Sequence, residues 1–105
     1  MEAELYRMAD DAIAALRRAM DRGGNIGHQQ MLETVAPVID LRNRMLDAYR
    51  QGGLSRDLLD RANAIASLAY STEFPISGVH AHRIDQACKA LSNMIEVARR
   101  EEHSG

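Results

Sequence analysis

The chain of 105 residues contains one cysteine, Cys88. No disulfide can form within it and no cysteine-rich zinc site can be built. A lone thiol of this kind is expected as a small core residue in a reducing compartment. Lysine is nearly as scarce, with Lys89 the single example among thirteen Lys and Arg; this arginine-heavy usage suggests a bacterial coding bias. Neither charge dominates: thirteen basic and fifteen acidic residues give a formal net charge of −2. That balance supplies no field to draw the chain to nucleic acid or to an anionic membrane. No apolar run approaches the roughly 18 residues of a membrane span. The opening Met-Glu-Ala-Glu-Leu-Tyr-Arg lacks the basic stretch and apolar centre of a secretory signal. A cytoplasmic protein is expected.

Valine and threonine are sparse and no segment alternates apolar with polar, so strands are not expected. Alanine, leucine and arginine predominate, and all three favour helix. At 46% hydrophobic and 27% charged residues, the chain is too apolar to remain disordered and long enough for one modest core.

Glycine and proline punctuate the chain at Arg22-Gly23-Gly24-Asn25, Gln51-Gly52-Gly53-Leu54 and Phe74-Pro75-Ile76-Ser77-Gly78. The two Gly-Gly pairs lack any phosphate-loop continuation and fit helix C-caps. Four helices are expected, at about 2–22, 28–51, 56–72 and 79–101. Ser55 is placed to cap the third, with Leu54 and Leu59 as a hydrophobic staple, and Ser77 to cap the fourth. Pro37 should kink or restart the second. Short connections make consecutive helices antiparallel, which predicts an all-α, up-down four-helix bundle in a single domain.

The second helix carries the widest apolar face, an arc of roughly 220° with Arg42 at its centre. An uncompensated buried guanidinium costs several kcal/mol. The simplest resolution runs its stem over the core and its head to Asp11 or water. A second uses the surplus width as a homodimer seam, and a third makes Arg42 the grip of an anion pocket. The face nominates Met31, Val35, Val38, Arg42, Met45 and Tyr49 as partner-binding residues, with the aromatic and the arginine as anchors.

Bundle topology also brings His28, Glu73 and His80 to one end, two imidazoles and a carboxylate that could hold a divalent metal. No Glu-x-x-His or His-x-x-x-His spacing supports that set, and a helix-end polar cluster explains it more simply. His80 and His82 point to opposite sides of a helix and cannot share an ion. Cys88 falls on the apolar face of its helix, where a thiolate is disfavoured, and no Gly-x-Ser-x-Gly elbow occurs. The sequence therefore nominates no catalytic residue, cofactor or nucleic-acid partner. It favours a small non-catalytic helical protein acting through protein contacts, homodimeric through helix two. The alternative is a metal- or anion-binding bundle, possibly enzymatic, built on the histidine cluster or on Arg42.

Overall fold

The computed structural model describes residues 1–22, 28–70 and 79–104. They form four helices: α1 (Ala3–Arg22), α2 (His28–Arg50), α3 (Arg56–Tyr70) and α4 (Val79–Ser104). Each packs antiparallel against its neighbours in the order α1, α2, α3, α4 and back to α1, which closes the expected four-helix bundle. Among the described residues the diagonal pairs do not approach each other.

The core follows from apolar residues spaced alternately three and four apart on every helix, the repeat that keeps a side-chain row on one face. Leu5, Ala9, Ala12, Leu16 and Ala19 form the α1 row, and Leu58, Ala62 and Ile65 that of α3. Ile84, Ala87, Leu91, Met94 and Ala98 form the α4 row. On α2 the row is Thr34, Val38, Leu41 and Met45, each at most 8% exposed. The alanines of α1 and α3 let neighbouring backbones come close, while Leu16, Leu41, Leu91 and Met94 fill the centre.

Local chemistry sets the helix ends. Gly52 adopts φ +80 after the last turn of α2, a conformation that costs an L residue roughly 1 kcal/mol or more. Its N–H reaches the Tyr49 carbonyl at 3.0 Å, and that of Gly53 reaches Ala48 at 2.9 Å, the paired bonds of a Schellman cap. Gln51 lies in this turn, one residue beyond the helix. At the start of α3 the Ser55 hydroxyl accepts the Leu58 N–H at 3.3 Å, and Leu54 and Leu59 are both buried, as the sequence predicts.

Two expectations need adjusting. Of the kink or restart expected at Pro37, the restart does not occur, since helix α2 runs unbroken from His28 to Arg50. Helix α4 continues to Ser104 instead of fraying near residue 101, because its last turn is tied to other elements. Ser55 Oγ donates to Glu101 at 3.0 Å, and the Met1 ammonium pairs with Glu102. The Gly23-Gly24 turn, the Pro75 segment and the Ser77 cap lie outside the described residues.

Candidate functional site

Helix α2 carries a second heptad row one residue out of phase with the first: Leu32, Val35, Ile39, Arg42, Leu46 and Tyr49. Its spacing is again three, four, three, four and three, so it forms a continuous stripe turned about 100° from the core row. This stripe is not buried. Leu32 is 57% exposed, the exposed large hydrophobic side chain of the described residues, and the other five are half-buried. Val35, Leu46 and Tyr49 lean on the core from its edge.

Comparison of equivalent positions shows how unusual the stripe is. The heptad-equivalent positions, such as those that follow Ala9 and Leu16 on α1, Ala62 on α3, and Ile84, Leu91 and Ala98 on α4, hold Asp10 and Arg17 on α1, Arg56 and Asn63 on α3, and Asp85, Ser92 and Arg99 on α4. All are polar, as a water-facing shoulder requires. On α2 the same positions hold Leu32, Ile39 and Leu46.

Arg44 and Arg42 fix the two sides of α2. Arg44 bridges to Glu4 of α1 at 2.6 Å. Arg42 lies two residues away, hence about 160° around the helix, and faces the α3 side. There the Arg56 guanidinium of α3 sits 5.9 Å from the centre of the Tyr49 ring.

Asp11 is therefore not the partner of Arg42. It is exposed on α1, across the bundle from the shoulder that Arg42 occupies, and among the described residues no carboxylate pairs with Arg42. The Arg42 side chain is half-buried, and its Nε is buried without a hydrogen-bond partner. Such an N–H costs about 1–3 kcal/mol until something accepts it.

The nominated partner-binding residues fall into two groups. Val38 and Met45, at 2% and 0% exposure, are consumed by the core and present nothing to a partner of the folded bundle. Val35, Arg42 and Tyr49 belong to the outer stripe, to which the structure adds Leu32, Ile39 and Leu46. The side chain of Met31 lies outside the described ones. The signal for the stripe is present in the sequence as two interleaved heptads, but a wide apolar arc does not by itself say which half is buried.

The His28, Glu73 and His80 set cannot be assembled from what is described, since Glu73 and the side chains of His28 and His80 lie outside it. Among the described residues no group of three His, Cys, Asp or Glu could hold a metal ion. An open groove of about 620 Å³ between α1 and α4 is lined by Arg17, Arg18 and Arg99 but equally by Asp10, Asp21 and Glu96, so it selects no charge. Cys88 borders this side of the bundle at 6% exposure, and burial pushes its thiol pKa up, away from nucleophilic use.

The termini form a separate polar corner. Arg99 lies 5.6 Å from the centre of the Tyr6 ring, and the Tyr6 hydroxyl is buried near Glu102, outside hydrogen-bond geometry. Burial first, then the Glu102 charge, raises the Tyr6 pKa. The Met1 ammonium, with Tyr6 second, lowers that of Glu102. This corner locks the start of α1 to the end of α4. No described helix is long and apolar enough to cross a membrane. No family model matches the chain, and neither a curated protein nor a solved structure is significantly similar to it.

Proposed function

We propose that the protein acts by binding protein, without catalysis, through the outer stripe of α2, and that it associates with itself through this face. The observation that carries the reading is the row Leu32, Ile39 and Leu46, apolar where every other helix of the bundle places polar residues. Leu46 packs against the edge of the core and Ile39 is half-buried, but Leu32 stays 57% exposed, and an interface gains the burial of what the single bundle leaves open, where complete burial of one such side chain is worth about 1.5–3 kcal/mol. The stripe has the heptad spacing by which one helix receives another, so a helix is the shape it fits.

The test is solution mass by light scattering on the wild type and on Ile39→Glu and Leu46→Glu variants, with far-UV circular dichroism confirming that each remains helical. The wild type should scatter as a particle of twice the 11.7 kDa chain mass, and both variants as the single chain. A folded wild type of single-chain mass, or variants that retain the doubled mass, would overturn the reading.

A further inference from the structure

Resting on the reading that the outer stripe of α2 binds protein, we infer that its tightest occupant is an amphipathic helix of another protein, with a carboxylate in the middle of its apolar face to receive Arg42. Self-association uses the same stripe and gives way to that helix. The apolar positions alone ask only for a partner row at heptad spacing. Arg42 adds a charge requirement. It stands between Ile39, one turn before it, and Leu46, one turn after, and its buried Nε has no acceptor. Whatever covers this stretch takes the rest of the guanidinium out of water, so the covering surface must bring an anion or lose affinity to an uncompensated charge.

The bundle does not supply that anion. Tyr49 is level with Arg56, so seven residues back along α2 and seven forward along α3 set Arg42 level with Asn63. The α3 shoulder that carries Arg56 continues through Asp60, Asn63 and Ser67, and its one carboxylate, Asp60, is held by Arg56 at 3.1 Å. On α2, exposed Glu33, Asp40 and Asp47 lie about 140–180° around the helix from Arg42, on the outward face. A second copy fares no better: none of the six positions of the stripe is acidic, so stripe against stripe leaves two arginines without a carboxylate in either direction. Exposed Arg50, about 80° around α2 from Arg42, borders the stripe at its C-terminal end and adds to the same preference.

The test uses the full chain and synthetic helical peptides of about twenty residues, with leucine at six positions spaced as in the stripe. One peptide carries glutamate at the third of these positions and one at the fourth, the two that meet Arg42 in an antiparallel and in a parallel helix. Matched controls carry glutamine or lysine there. Binding is followed by fluorescence anisotropy, and the ratio of affinities is taken within each protein, so that changes in self-association or stability cancel. In the wild type one of the glutamate peptides should bind about tenfold or more tightly than its glutamine control. The preference should vanish in Arg42→Gln and turn toward the lysine peptide in Arg42→Glu. Light scattering should show an excess of the glutamate peptide converting any dimer to one chain with one peptide.

Equal binding of glutamate and glutamine peptides by the wild type, or a preference that survives Arg42→Gln, overturns the inference and leaves the stripe an interface. A doubled mass that excess glutamate peptide does not reduce makes the second copy the occupant and overturns it as well. A wild type of single-chain mass that binds no peptide defeats the interface itself, and the reading beneath falls with it.

Discussion

The two rows of α2 make opposite demands on the same helix, and alanine substitution separates them. Leu41 is 2% exposed in the centre of the core row, and Leu32 is 57% exposed at one end of the outer row. Leu41→Ala removes a packed side chain whose space the bundle can only partly reclaim, at a cost of about 3 kcal/mol. Domains of this length hold about 5–15 kcal/mol in total, so the loss is a large share and should lower the melting temperature by roughly 12 °C or more. Leu32→Ala removes a side chain that stays more than half wet in the single bundle, which predicts a change within about 0.5 kcal/mol for the isolated chain. The assay is thermal unfolding by circular dichroism at two protein concentrations about a hundredfold apart. Association stabilises the native state by mass action, so the wild-type melting temperature should rise with concentration. Leu41→Ala should lower the melting temperature at both concentrations and preserve the rise. Leu32→Ala should match the wild type when dilute and lose much of the rise when concentrated. A Leu32→Ala protein that melts as low as Leu41→Ala at both concentrations would refute the division into an inner and an outer row.

Two further outcomes test the helix ends. Ser55→Ala removes the acceptor of the Leu58 N–H and the donor to Glu101, and should cost about 1 kcal/mol, read as a lower urea midpoint with an unchanged slope. Glu102 has its folded pKa lowered by the Met1 ammonium, so its stabilisation is present above its unfolded pKa and is lost as pH falls through the lowered folded value. The melting temperature of Glu102→Gln should therefore lie below that of the wild type at neutral pH and converge with it in acid; parallel curves across that range would remove Glu102 from the acid response.

Most of the fold was legible because it depends on local rules. Glycine at residue 52, serine at residue 55 and the three-four spacing of Leu5, Ala9, Ala12 and Leu16 each act within a few residues of themselves. The end of α4 was not legible in the same way. The residues holding it are Met1 and Ser55, remote in sequence, and charge at 99–102 reads equally as a solvated, fraying tail. Pro37 sits within a long amphipathic segment, and the burial of Thr34, Val38 and Leu41 around it keeps the helix going where propensity alone would stop it.

The candidate site was half legible for a related reason. A hydrophobic arc gives angles around one helix, whereas the partner of Arg42 depends on which shoulder faces α1 and which faces α3. That is set by the handedness of the bundle, to which the side-chain period is blind. Level along the axis made Asp11 a plausible partner; phase removed it, because the Arg44–Glu4 bridge takes the α1 side.

The same geometry explains why an arginine belongs in the stripe at all. A purely aliphatic row of this spacing would pair in either direction and in several registers, since one large apolar side chain fits beside another with little discrimination. A single charge among five apolar positions changes that. In a parallel pair of copies it would meet its own image, a like-charge contact that an antiparallel pair avoids. Replacing Arg42 by leucine should accordingly leave association strong or strengthen it, while spin labels at Arg50 report a mixture of short and long separations where the wild type gives one. A single long separation in Arg42→Leu would show that the direction of pairing is set elsewhere on the face and that Arg42 is not its determinant.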